Sequence, residues 1–264
     1  MGQSATGCYY RRLGGTGDLT VFASTDATRS NWTPDIQHGS PPLALLTRAV
    51  EEKTDPGMRL GRLTLDILGA VPVAEVTVHA WIQRPGRRIS LLAAEMAEPG
   101  GRPVARLSAW ALAVSDTADV ATDRYPPLRE GSPDPVPAQW RQAGRYLSTV
   151  EFRPQPGESA GASVFWVRPL IALVDDEPTT ALQRLTMVVD TANGVGAVLD
   201  PHQFTYMNTD TTVNLHRQPR GSDFALRARA SIGPDGIGVT TTEIFDGDGF
   251  VGTCAQTLLV QRRG

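Results

Sequence analysis

The chain has 264 residues, 41% hydrophobic and 20% charged, with 25 basic against 28 acidic side chains and a formal net charge of −3. That length suits one large domain or two small ones, and a chain of this size buries about 70–75% of its unfolded surface, so its core needs no disulfide or metal staple. The charge balance lacks the basic footprint of nucleic-acid binding, and no apolar run approaches the length of a membrane span.

The N-terminal stretch to Thr20 mixes Gly, Ser, Tyr and Arg, with no apolar core of a signal peptide. Together with the distant pair Cys8 and Cys254, it points to a cytoplasmic protein with free thiols. The first strand is expected at Leu19–Ser24. A helix follows, opening near Gly39-Ser40-Pro41-Pro42, where proline suits the first turn. Leu43, Leu46 and Val50 give its apolar stripe, and Asp55-Pro56-Gly57 stops it. Four alternating runs come next, around Leu63–Ile67, Val76–Ile82, Ile89–Met96 and Val104–Val114. Pro85-Gly86 and Pro99-Gly100-Gly101 punctuate them as turns.

The segment 116–140 carries five prolines among Asp, Glu and Ser, and reads as an extended linker. After it the plan recurs. Strands are expected at Tyr146–Phe152 and Val164–Leu173. A helix opens at Pro178, capped by Asp176 or Glu177, and ends at Asn193-Gly194. Its apolar stripe is Leu182, Leu185, Val188 and Val189. Strands follow at Phe204–Leu215, Phe224–Ile232, Ile237–Phe245 and Val251–Val260. An offset of 147 pairs Val104 with Val251, Pro72 with Pro219, Gly86 with Gly233 and Leu112 with Leu259, and 148 pairs Val76 with Phe224. The expected organisation is one unit over 1–115, the linker 116–140 and a second unit over 141–264. A helix followed by a long antiparallel meander, done twice, is an α+β architecture, with each sheet curling round its helix.

Several motifs together resemble the acyl-CoA thioesterase II group of the thioesterase-like superfamily. In the first half they are Trp32-Thr33-Pro34, His38-Gly39, Leu43–Glu51, Arg84-Pro85-Gly86-Arg87-Arg88 and Gly101–Ala105. In the second they are Trp166-Val167-Arg168, Glu177-Pro178, Asp190–Gly194, Asn208-Thr209-Asp210, His216–Pro219 and Ala255-Gln256-Thr257. The resemblance spans nearly the whole chain, and order and spacing make it more specific than any one motif. It implies a double hot-dog fold, two helix-wrapped antiparallel sheets forming one continuous sheet, and a homodimer of that double unit. It also implies a catalytic Asp on the second helix, a hydroxyl residue on the next strand and a Gln on the last strand. These fall on Asp190, Asn208 and Gln256, with an Asn where the group carries a hydroxyl and Thr209 beside it.

A thioester can be hydrolysed without a covalent intermediate. A carboxylate deprotonates a water, amide or hydroxyl groups orient it, and backbone N–H groups receive the oxyanion. Asp190 is the expected base, with Asn208 and Gln256 placing the water. Gly39, at the start of the first helix, is the expected oxyanion and substrate-binding position. Asp190 is expected in the last turn of its helix, where its charge opposes the dipole by about 0.3–1 kcal/mol. The competing readings are a solvated helix residue for Asp190 and an outward strand residue for Gln256. The substrate would be an acyl-CoA or related acyl thioester in an apolar tunnel between the halves, with no cofactor and no metal, since the four histidines show no metal spacing. The alternative function is acyl-thioester or lipid binding without turnover. Gly157-Glu158-Ser159-Ala160-Gly161 matches a serine-hydrolase elbow, but Pro154 and Pro156 precede it and a β-rich run follows, so it reads as a loop.

Overall fold

A computed structural model describes residues 7–128, 145–155 and 161–263. The N-terminal half comprises β1 (Cys8–Thr16), β2 (Leu19–Ser24), α1 (Ser40–Lys53), β3 (Met58–Ile67), β4 (Glu75–Arg84), β5 (Ile89–Ala97) and β6 (Pro103–Ala113). The C-terminal half comprises α2 (Arg145–Ser148), β7 (Val150–Gln155), β8 (Ser163–Pro169), β9 (Ala172–Val174), α3 (Ala181–Thr186) and a 3₁₀ turn at Val189–Thr191. It continues through α4 (Ala192–Val195), β10 (Phe204–Asn208), β11 (Asp210–Leu215), β12 (Phe224–Ile232), β13 (Ile237–Asp246) and β14 (Gly249–Arg262).

Helix α1 is the centre of the first half. Pro41 and Pro42 sit in its first turn, where a missing N–H costs nothing, and it ends before Asp55-Pro56-Gly57. Every residue from Ser40 to Val50 is buried, so the helix is enclosed rather than half-solvated. The sheet supplies the cover. Leu63 and Leu65, Val76 and Val78, Leu92 and Ala94, and Leu107 and Ala109 all alternate inward. Each buried Leu contributes about 1.5–3 kcal/mol.

All strands join one sheet. Its first half runs β1-β2-β4-β5-β6-β3 and its second β7-β8-β12-β13-β14-β11, the same plan twice. Strands β3 and β11 pair antiparallel where the halves meet. There Thr64 faces Thr212, two positions 148 apart, and their hydroxyls lie 3.3 Å from each other. A two-fold relation requires that a residue on the axis face its own counterpart. The Thr64–Thr212 pair meets that condition at the offset read from the sequence. Strand β9 adds parallel to β1, covering that edge with a segment of the other half.

Several sequence expectations need correction. The second helix is not continuous from Pro178 to Asn193. Its cap is Thr180, which forms a capping box with Gln183. It stops at Thr186, whose hydroxyl bonds back to Leu182 O and Gln183 O, and the chain then passes through the 3₁₀ turn. β-Branched Val188 and Val189 at the break weaken helix continuation. Gly194 lies inside α4, not at a helix end. The expected strand at Tyr146–Phe152 starts as α2, and that at Val164–Leu173 splits into β8 and β9. The expected strand at Phe204–Leu215 breaks at Thr209, so that β10 pairs with β14 while β11 also reaches β3. Strand β1 was not anticipated. Of the expected linker, residues 129–140 lie outside the described residues, as does Ser159. The described part, up to Leu128, lies against the second half: Tyr125 stacks on Phe250, and Arg227 donates to Pro126 O and Pro127 O.

Helix α1 is tied to the second half through Arg48. Its Nε donates to Glu177 Oε2 at 2.6 Å and its Nη2 to Glu177 Oε1 at 3.0 Å, with Glu52 at 2.9 Å on the same guanidinium. Removing one partner of a buried pair costs about 3–5 kcal/mol. Glu177 is 26% exposed, so Arg48→Ala is expected to lose the lower end of that range, about 3 kcal/mol, in urea denaturation. Arg48→Met combined with Glu177→Gln should recover much of the loss; a double variant as weak as Arg48→Ala would show that the charge pair is not the cause.

Candidate active site

Asp190 sits in the 3₁₀ turn, where Thr191 Oγ1 donates to Val188 O at 2.6 Å and fixes the local bend. The residue is 2% exposed. It is therefore neither a solvated helix residue nor the last-turn charge opposing a long helix. A buried carboxylate needs donors, and three reach the same oxygen. Asn208 Nδ2 donates to Asp190 Oδ1 at 2.8 Å, Thr211 Oγ1 at 2.6 Å and Gln256 Nε2 at 3.2 Å. Gln256 Nε2 also lies 3.1 Å from Asp190 O and 3.1 Å from Thr211 Oγ1.

Each donor is placed by strand alternation. On β14, Cys254, Gln256 and Leu258 point inward, so Gln256 is 1% exposed and not an outward residue. Its Oε1 is buried and has no partner among the described residues. Asn208 ends β10, and Asn193 Nδ2 approaches its Oδ1 at 3.5 Å. Thr211 shares the inward face of β11 with Val213 and is wholly buried.

Thr211 was missed by the sequence reading, which placed the hydroxyl position at Asn208. Counting back from Val213 in steps of two would have found it. Asp190, Asn208 and Gln256 do come together, and Thr211 completes the set with a hydroxyl.

The other oxygen of Asp190 faces the N-terminal half. A Cβ on Gly39 would run into Asp190 Oδ2, closer than such atoms approach. A side chain there would have to push the Asp190 carboxylate aside, although the Gly39 φ of −65° is open to any residue. Among the described residues the Gly39 N–H has no hydrogen-bond partner. His38 Nδ1 is 3.7 Å from Asp190 Oδ2, and it accepts the Ser40 N–H at 3.1 Å. The ring stacks on Tyr146 with centroids 3.9 Å apart. Burial lowers the His38 pKa from its ordinary value, and Asp190 offsets only part of that. The contact is thus a neutral imidazole beside a carboxylate.

These groups line a cavity of about 870 Å³ whose wall is shared by both halves. Leu65, Ile67, Val71 and Ala105 supply apolar surface, while Asp190, Asn208, His38 and Gly39 supply the polar end. This is the usual make-up of a small-molecule site.

The N-terminal domain of acyl-CoA thioesterases matches residues 28–112, and their C-terminal domain matches residues 116–260. The chain belongs to the acyl-CoA thioesterase family. Acyl-CoA hydrolysis is that family's general chemistry. The chain is similar in structure to the acyl-CoA thioesterase II of Mycobacterium marinum, with a TM-score of 0.70 and 12% identity over 96% of this chain and 95% of that one. It is also similar to a hot-dog-fold protein of unknown function from Alicyclobacillus acidocaldarius, with a TM-score of 0.71 and 15% identity over 94% of each chain. The tesB protein of Mycobacterium avium subsp. paratuberculosis gives 0.67 and 15% over 96% and 95%. These likenesses show the hot-dog fold. No curated protein matches the chain in sequence. No helix among the described residues is long and apolar enough to cross a membrane.

Two outcomes follow from the geometry. Gly39→Ala should displace the Asp190 carboxylate and lower thioester turnover by at least about 10²-fold, as small misplacements of catalytic groups do. Its circular-dichroism spectrum should match wild type, and unchanged turnover would refute the contact. The second concerns acid. With its pKa depressed in the fold, His38 takes up a proton more readily in the unfolded chain, so its contribution is complete above about pH 6.5 and is lost as pH falls below that. His38→Gln should therefore flatten the fall in stability between pH 7 and about pH 5.5, measured by thermal melts across that range.

Proposed function

We propose that this chain hydrolyses acyl-CoA or a related acyl thioester with a water activated by Asp190. The observation that carries the reading is the division of labour between the two carboxylate oxygens. Oδ1 is held by Asn208, Thr211 and Gln256. Oδ2 is left toward Gly39 and His38, which line the cavity. A water there adds to the thioester carbonyl while its proton passes to Oδ2. The oxyanion develops against the unpaired Gly39 N–H at the head of α1. Collapse expels the thiolate, which takes the proton from Asp190, leaving a free acid and a free thiol. Gln256 acts one step back, holding Oδ1 from the sheet interior. Neutral His38 adds no competing charge beside the base.

The missing hydroxyl that favoured binding without turnover is supplied by Thr211. Hydrolysis is therefore the better supported reading.

The same reading extends to architecture and assembly. The repeated strand order and the Thr64–Thr212 contact support two hot-dog units, over 1–115 and 141–264, joined by the linker 116–140. Free thiols at Cys8 and Cys254 support a cytoplasmic setting. A homodimer of the double unit rests on family analogy and on the exposed cross-strand pair Ile89 and Leu112. Light scattering at high concentration should give twice the chain mass, and a monomeric mass would end that part of the reading.

Asp190→Asn should lower kcat for acyl-CoA hydrolysis by about 10²–10⁴-fold, since Asn keeps the shape but cannot take a proton. The KM should barely change. Thr211→Val removes one hydrogen bond to a charged group and should cost about 10- to 100-fold. Gln256→Ala added to Asp190→Asn should lose little more, because groups acting as a unit are not additive. Thiol release from an acyl-CoA panel measures all three. Wild-type rates in Asp190→Asn would remove Asp190 from the mechanism, and a wild type that binds every panel member without turnover would leave the binding function instead.

A further inference from the structure

Strand β10 runs along the cavity wall like a ruler. At one end Asn208 touches Asp190. At the other, Arg263 N–H donates to Gln203 O at 2.8 Å, one step beyond the Phe204–Arg262 pair. Gln203 lies five residue steps from Asn208, a backbone span of about 16–17 Å at the usual rise per residue.

The Arg263 side chain is held in place. Its Nε donates to Pro201 O at 2.9 Å, and its guanidinium lies 5.6 Å from the centre of the Trp32 ring. Trp32 is itself braced edge-on by Tyr206 at 5.4 Å. Among the described residues, neither Nη of Arg263 has a partner and no carboxylate pairs with it. It is the one Lys or Arg that lines the cavity among those residues. An ordered guanidinium with both outer nitrogens open is suited to phosphate, which it can bind through two parallel N–H bonds.

A biological acyl thioester hangs from a phosphopantetheine arm, in coenzyme A and on carrier proteins alike. That arm has about thirteen bonds from sulfur to phosphorus, roughly 15–17 Å when extended at ordinary bond lengths. With the sulfur at Asp190, an extended arm is long enough to bring its phosphate to the end of β10 where the Arg263 backbone pairs. We propose that Arg263, braced on Trp32, receives the phosphate of the pantetheine arm and sets the preference for phosphorylated thioesters. The proposal rests on the thioesterase reading of the cavity.

The test compares 4′-phosphopantetheine with pantetheine by calorimetry, in wild type and in Arg263→Gln. Wild type should bind the phosphorylated ligand about 10- to 100-fold more tightly, the usual range for a hydrogen-bonded charge. In Arg263→Gln that gap should nearly close, while pantetheine binds as before. A gap that survives the substitution, or equal weakening of both ligands, overturns the proposal: the phosphate is then held elsewhere, or Arg263 only props the wall. Acyl-CoA and acyl-carrier-protein hydrolysis should both fall in Arg263→Gln through KM. Loss confined to acyl-CoA would place Arg263 at the nucleotide instead and also overturn it. Hydrolysis of an acyl-N-acetylcysteamine, which has no phosphate, separates the two readings. A wild type that cleaves it but shows no phosphate gap refutes the role of Arg263 alone. A wild type inert to every thioester that still shows the gap refutes hydrolysis alone.

Discussion

A carboxylate at 2% exposure is the constraint around which this molecule is arranged. Taking such a charge out of water costs several kcal/mol unless donors replace the water. Here the donors come from three strands, β10, β11 and β14, and the glycine that leaves room for the second oxygen comes from the other half of the chain. No single element could hold Asp190. Its placement requires the sheet to be continuous across the β3–β11 junction and α1 to be fixed against the second half. The Arg48–Glu177 pair and the acceptance by Glu51 of bonds from Thr180 and Gln183 tie the far end of α1 to that same half.

Most of the scaffold was legible because its signals are local. Alternation in β4, β5, β12 and β13 and the turn residues between them mark the meander, and Pro41-Pro42 and Asp55-Pro56-Gly57 bracket α1. The broken second helix was not legible. Its apolar residues keep helical spacing, and the break depends on hydroxyl-to-backbone bonds by Thr186 and Thr191 that no periodicity reports. Strand β1 was hidden because from Arg11 onward it is exposed, so its sequence shows no alternation.

The site was legible in part for the same reasons. Asp190 and Gln256 stand out as polar residues interrupting apolar runs, and Gly39 marks the helix start. Thr211 does not stand out. It is one Thr in a row of four hydroxyl and acidic residues from Thr209 to Thr212, and choosing it needs the inward register counted back from Val213. The contact between Gly39 and Asp190 crosses about 150 residues of sequence and can be seen only in the folded chain.

The repeated strand order also has a consequence for how the site can vary. By the repeat offsets, Thr211 corresponds to Leu63 and Gln256 to Ala109, both wholly buried and apolar. Two identical units about a two-fold would carry any substitution twice, so a polar group introduced to hold a carboxylate would also appear unpaired in the other core. In the fused chain the two copies mutate independently. One half can keep a dry interior that carries stability, while the other accepts the burden of a buried ion that symmetry alone would have imposed on both.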